Sequence, residues 1–153
     1  MNSRSDSKSV TVCNWNAATA QPARLARSCL RPELLRLNLN ESVVDDVLLA
    51  ASELVANATE HAAGPYELRL LSEGSEYVLE CHDSSPDLPP ISLVPTGPPP
   101  DETTGQAMPD WDELGERGRG LSLLSRLFHG CLSARRTPSG KAVFVAFGAG
   151  VPW

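Results

Sequence analysis

The chain lacks most of the features that mark a specialised environment. No apolar run approaches the ~18 residues that a bilayer-crossing helix needs. The N-terminus, MNSRSDSKS, is polar where a secretory signal carries a hydrophobic core. A cytoplasmic location without membrane association is expected. Positive charge is not in excess either: 13 Lys and Arg stand against 19 Asp and Glu, a formal net charge of -6. A surface that holds phosphodiester backbone by counterion release is therefore excluded for the chain as a whole, and direct nucleic-acid binding is not expected. Cys13, Cys29, Cys81 and Cys131 form no C-x-x-C pair, so neither a zinc knuckle nor a dithiol redox motif is indicated. They read as small buried hydrophobes. No internal repeat is evident.

What is present is an ordinary globular mixture: 153 residues, 41% hydrophobic and 21% charged, the size and composition of one domain. Ser9 to Trp15 reads as a strand. Thr19 to Leu37 has helical spacing, with Pro22 suited to a first turn and Pro32 expected to break or bend the segment. Asn40 is a good N-cap for Glu41 to Ala62, the strongest helix, where Val44, Val47, Leu48, Ala51, Leu54, Val55 and Ala58 recur at helical steps. Gly64-Pro65 ends it. Tyr66 to Leu71 and Glu76 to His82 then form a hairpin around Glu73-Gly74-Ser75. From Asp83 to about Gly115 the chain is rich in proline and without periodicity. A loop of that length is an active-site lid, a binding loop or a disordered insert. Arg119 to Phe128 reads as a helix with Leu121, Leu124 and Phe128 on one stripe. Cys131 to Arg136 and Lys141 to Phe147 close a second hairpin around Pro138-Ser139-Gly140.

Strands that arrive as hairpins, with helices gathered between them, predict an α+β two-layer sandwich. Its mixed, mostly antiparallel sheet is covered by helices on one face and partly wet on the other. The expected organisation is a disordered lead at 1–8, a domain at 9–148 with a proline-rich lid at about 84–117, and a tail at 149–153.

Three places carry residues suited to chemistry. Glu53, Asn57 and His61 follow one another at four-residue steps, each rotated only about 40° from the last, so they line one side of the long helix. By periodicity that stripe lies roughly opposite the apolar one and suits solvent equally well. An Asn amide oxygen ligates hard cations such as Mg²⁺, however, and a Glu one turn away accepts a proton from a hydroxyl or water. At the strand exit, His82-Asp83-Ser84-Ser85-Pro86 puts a carboxylate where the loop begins; it suits an amino group of a ligand, and equally an ordinary turn in which Asp caps its own backbone. Gly115-Glu116-Arg117-Gly118-Arg119-Gly120-Leu121 is a glycine-rich turn ahead of a helix, able to bring amides and a positive dipole end to phosphate, or to act as a simple hinge. It has no Lys-Ser/Thr ending of a P-loop and does not follow a strand as a dinucleotide fingerprint does.

Taken in this order, the three pieces resemble the GHKL family of ATP-binding domains, shared by gyrase, heat-shock chaperones, mismatch-repair proteins, histidine kinases and anti-sigma factor serine kinases. E-L-V-A-N-A-T-E-H-A at Glu53 to Ala62 resembles the asparagine box, H-D-S-S-P at His82 to Pro86 the first glycine box, and G-E-R-G-R-G-L at Gly115 to Leu121 the second. The resemblance implies the histidine kinase-like ATPase (Bergerat-type) fold and ATP with Mg²⁺ as ligands. It implies Glu53 as catalytic base, Asn57 as metal ligand and His61 as a residue shaping the pocket beside the phosphates. It implies Asp83 as the reader of the adenine amino group, and Gly115, Arg117, Gly118, Arg119, Gly120 and Leu121 as the phosphate cradle. Two of its motifs depart from the pattern. Ser85 stands where a first glycine is usual and Asp87 where a second is. Lys141, in S-G-K-A-V-F, replaces a Thr that often helps hold the base.

A stand-alone domain with E-L-V-x-N-A-x-x-H-A and D-x-S-P most resembles the regulators grouped with anti-sigma factor serine/threonine kinases. The resemblance implies an anti-sigma factor antagonist of the STAS type as substrate, a sigma factor as competing partner, and a homodimer. Two further readings stay open: a non-catalytic ATP-dependent binding switch, and a detached histidine kinase catalytic domain. A gyrase or mismatch-repair ATPase fits less well, because length leaves no second domain for a transducing lysine, with Lys141 the candidate for that role.

Overall fold

The computed structural model describes residues 7–88, 123–124, 126–128 and 131–148. Within them the order is β1 (Lys8–Trp15), α1 (Pro22–Leu35), α2 (Glu41–His61), β2 (Tyr66–Glu73), β3 (Glu76–Asp83), β4 (Leu132–Thr137) and β5 (Gly140–Gly148). The sheet order is β1-β2-β3-β5-β4, and every neighbouring pair is antiparallel. The expected α+β two-layer sandwich is what forms.

Strand alternation decides which face is dry. Leu68 and Leu70 of β2, Leu79 and Cys81 of β3, and Val143 and Val145 of β5 are cross-strand neighbours, all buried with α1 and α2 residues such as Leu30, Leu34, Leu54 and Val55 in one core. In β1 a bulge joins the two patterns. Thr11 pairs with Arg69 but Cys13 with Leu68, so Val12 is the extra residue. That single insertion turns Cys13 and Trp15 inward while Thr11 faces the other side.

The other face is tiled with ion pairs. Glu80 takes Arg135 and lies 2.8 Å from His82 Nε2, Glu67 takes Arg69 and the Thr11 hydroxyl, and the Arg135 guanidinium sits over the Phe144 ring. This explains how a face that no helix covers among the described residues stays polar and yet keeps Glu80 at 3% exposure.

Three expectations need correction. α1 is not broken at Pro32 but runs through it to Leu35. Pro32 forfeits one bond to the carbonyl of Ser28, and both residues are exposed, so water can serve that carbonyl. The helix passes into a turn at Arg36 and Leu37, whose amides return to Pro32 and Leu34. The first hairpin is tighter than expected, because Glu73 pairs with Glu76 and leaves Gly74-Ser75 as a two-residue turn, with Gly74 at φ +63°. Asp83 closes β3 as a ladder residue instead of opening the loop.

The four cysteines are free; Cys13 and Cys81 are buried, Cys29 and Cys131 half-buried. Burial pushes the Cys13 thiol up to about 11, with Cys29 beside it adding to the rise. Leu123, Leu124, Arg126 and Leu127 are helical, and Leu124 and Phe128 enter the core as the apolar stripe predicts. Among the described residues no helix is long and apolar enough to cross a membrane.

Candidate functional site

Asn40 occupies the N-cap of α2 as expected, its carbonyl accepting the Val44 amide at 3.0 Å. The helix then runs along β3 in the same direction. The Cys81 thiol reaches the Leu54 carbonyl at 3.7 Å, and three residues further along the chain the Ser84 amide donates to the Ala63 carbonyl, just past the helix end, at 2.9 Å. These two contacts bring the half of α2 that carries Asn57 and His61 alongside the exit of β3 that carries Asp83.

A clamp of aromatic residues fixes that alignment. Trp15 Nε1 donates to the Thr59 hydroxyl at 3.1 Å, which donates to the Val55 carbonyl at 2.7 Å. The Tyr66 hydroxyl donates to the Ala62 carbonyl at 2.6 Å, and the Tyr66 ring stacks on Trp15 at 5.4 Å. Burial, with the negative charge of Asp83 nearby, raises the Tyr66 phenol above its ordinary range. The polar residues of the clamp were not singled out in the sequence, because Thr59 inside a helix and Tyr66 at a strand start carry no motif of their own.

Glu53 and Asn57 are half-buried, and His61 is exposed at the helix end. The polar stripe borders the apolar one instead of opposing it: Asn57 lies about 60° around the helix from the buried Leu54 and next to the buried Ala58. Both residues thus have one side on the packed layer.

Asp83 is the least ordinary residue here. Strand alternation places it on the helix side with Leu79 and Cys81, and the β3–β5 register sets Lys141 directly opposite. The Lys141 ammonium lies 2.9 Å from Oδ2 and 3.0 Å from Oδ1, with the two side chains only 6% and 1% exposed. The Ser85 amide also donates to Oδ1, at 2.8 Å. Asp83 therefore does cap its own turn, and Ser85 contributes its backbone there. Its hydroxyl accepts the Asp87 amide at 3.4 Å, and Arg136 Nε reaches the Pro86 carbonyl at 3.3 Å. A carboxylate offers about four acceptor positions and an ammonium three donors. Among the described residues Oδ1 thus accepts from both Lys141 and the Ser85 amide, and Oδ2 from Lys141.

Gly140, read from the sequence as part of a turn, has a tighter duty: a Cβ there would meet the Asp83 carbonyl oxygen at 2.0 Å. The Ser-Gly-Lys string was the available signal. A groove of about 650 Å³ between α1 and α2, lined by Arg24, Arg27, Arg31 and Asp45 among others, includes none of Glu53, Asn57, Asp83 or Lys141. The expected phosphate cradle of Gly115, Arg117, Gly118, Arg119, Gly120 and Leu121 lies outside the described residues, as does nearly all of the expected lid.

Comparison with curated proteins finds no match. Over residues 16–147, most of its length, the sequence matches the histidine kinase-like ATPase domain, and the chain belongs to that family of GHKL-type ATP-binding domains.

Proposed function

We propose that this protein is a regulator of the anti-sigma factor kinase type, which binds ATP with Mg²⁺ and phosphorylates a serine of an antagonist protein in a partner-switching system. The observation that carries the reading is the alignment of α2 with the end of β3, which sets the Glu53, Asn57 and His61 helix beside the buried Asp83. In a chain that belongs to a family of ATP-binding domains, that arrangement supports a nucleotide site between the helix and the strand exit.

Each residue has a separate duty. Asp83 accepts from the base amino group. Asn57 offers an amide oxygen to the metal. Among the described residues no three His, Cys, Asp or Glu side chains converge as a metal cage. Asn57 would thus hold Mg²⁺ together with phosphate oxygens, the usual way that ion is bound. Mg²⁺ supplies charge neutralisation on the transferring phosphoryl group. Glu53, one turn before Asn57, takes the proton of the attacking hydroxyl. His61 shapes the phosphate end of the pocket, and Gly118 and Gly120, outside the described residues, are the expected holders of the phosphates. A STAS-type antagonist is the acceptor, a sigma factor competes for the same surface, and the working unit is a homodimer in the cytoplasm.

Incubation with labelled ATP and each candidate antagonist, followed by mapping of the modified residue, tests this. Phosphoserine on one antagonist is the expected result. Phosphohistidine would transfer the chain to the histidine kinase group, and nucleotide binding without any transfer would make it a switch.

A further inference from the structure

The groove of about 650 Å³ between α1 and α2 has a chemistry of its own. Arg24, Arg27 and Arg31 line its α1 wall, and their three- and four-residue steps set them on one side of the helix over a length of about 10 Å. All three are exposed, and Asp45 is the only acidic residue of the lining among the described residues. Elsewhere Arg36, Arg69 and Arg135 each meet a carboxylate, that of Glu33, Glu67 and Glu80 in turn. In a chain of formal net charge -6 the groove is a local reversal of sign. The α2 wall adds apolar surface through Leu48, 5% exposed, and Leu49, 38% exposed. A second hollow of about 340 Å³ shares Arg24 and Ser28 with the groove and includes Leu25, also well exposed.

Resting on the kinase reading above for what the partner is, we propose that this groove docks an acidic, partly apolar segment of the serine-bearing protein. Carboxylates one and two turns apart on that segment meet Arg24, Arg27 and Arg31, and its apolar residues lie on Leu48 and Leu49. A small anion engages one or two guanidinium groups and gains nothing from leucines, whereas a row of three beside apolar surface matches a segment. Nucleic acid fits poorly, because it would bring a long run of negative charge against a chain that is acidic as a whole. An acidic segment escapes that repulsion, since charges more than about 8 Å away are largely screened at physiological salt and the arginines act at contact. The groove is also well placed for delivery. Ser52 belongs to its lining, and Leu49 precedes Glu53 by four residues, about 6 Å along the same side of α2. A partner seated there has its hydroxyl brought to the proposed base.

The test has two arms, both with the full chain. In the first, without nucleotide, a labelled synthetic peptide of Glu, Leu and Ala, with glutamates at three- and four-residue steps beside a leucine stripe, is titrated and read by fluorescence anisotropy. The wild type is expected to bind it, more weakly as salt rises, and Arg27→Glu with Arg31→Glu should lose at least about tenfold in affinity. Both arginines are exposed, so the doubly altered chain should keep its melting temperature. Leu49→Ser should weaken the same peptide at unchanged salt dependence. Equal binding by wild type and charge-reversed variant overturns the proposal, as does equal binding of a peptide of the same composition with the pattern scrambled. A dimer that the charge reversal splits would give the groove to a second copy, and an oligonucleotide that outcompetes the peptide would give it to nucleic acid; either overturns it. In the second arm, transfer from ATP to the antagonist is measured. Charge reversal should raise KM for the antagonist at least about tenfold while kcat stays within a few-fold, and an unchanged KM overturns the delivery role. A wild type that binds the peptide and transfers nothing sinks the kinase reading and leaves the docking groove standing.

Discussion

Gly140 opens β5 hard against the exit of β3: a Cβ at this position would lie 2.0 Å from the Asp83 carbonyl oxygen and 2.7 Å from the Ser84 Cα. Both are backbone atoms, so no rotamer change relieves the contact. Close approach, not a left-handed φ, is what demands glycine. Moving β5 away would separate Lys141 from Asp83, its partner in the ladder. Gly140→Ala is expected to cost at least the about 1–3 kcal/mol typical of overpacking. The loss should appear as a lower urea midpoint at unchanged slope. An unchanged midpoint would mean that the two strands part at no cost.

The contrast between Gly140 and α2 shows what the sequence makes legible. α2 was readable because its signal is local: apolar residues recur at helical steps between an N-cap and Gly64-Pro65. H-D-S-S-P made Asp83 readable as a carboxylate at a strand exit, and Lys141 stood out as a replacement. That the two form a buried pair was not, because the β3–β5 register joins residues far apart in the chain and leaves no local trace. The bulge at Val12 escaped for a similar reason, since strand alternation alone would send Thr11 and Cys13 to the same side. Pro32 misled because the local rule does not see that the Ser28 carbonyl it deprives is exposed, where water can serve it.

The open face of the sheet predicts an acid-sensitive step. Burial by itself pushes the Glu80 carboxyl upward. The hydrogen bonds from His82 and Arg135, and the charges of those groups, outweigh it and hold the carboxyl at about 2 against an ordinary value of 4.5. Arg69 lowers the Glu67 carboxyl in the same way, chiefly through its hydrogen bond. A carboxyl depressed in the folded state contributes stability above its unfolded value, and the contribution is lost as pH falls through the window toward the folded one. Melting temperatures of wild type and Glu80→Gln should therefore differ most above about pH 4.5 and converge between there and about pH 2. Curves that stay parallel through that range would show that Glu80 gains nothing from its partners.

Asn57 is half-buried beside Ala58, so truncating it removes a polar group from the border of the core without opening a cavity inside it. Asn57→Ala should remain folded and lose Mg²⁺-dependent ATP affinity by at least the about 10–100-fold that loss of a metal's supporting partners costs. Titration with and without Mg²⁺ checks it. Wild-type affinity in the variant would remove Asn57 from the metal.

Glu53 and Asn57 share one side of α2 a single turn apart, yet the roles proposed for them separate cleanly. Glu53→Gln keeps size and hydrogen bonding while abolishing the ability to take a proton. Nucleotide affinity should stay within a few-fold of wild type, because the base is needed at the reacting hydroxyl and not at the triphosphate. Transfer to the serine of the antagonist should fall by about 10²–10⁴-fold, the usual contribution of general acid–base catalysis. Single-turnover transfer with bound ATP measures the chemical step apart from binding. A variant that binds and transfers as wild type does would place the base elsewhere. One that loses binding and transfer together would make Glu53 part of the nucleotide pocket and leave the hydroxyl without a base on α2.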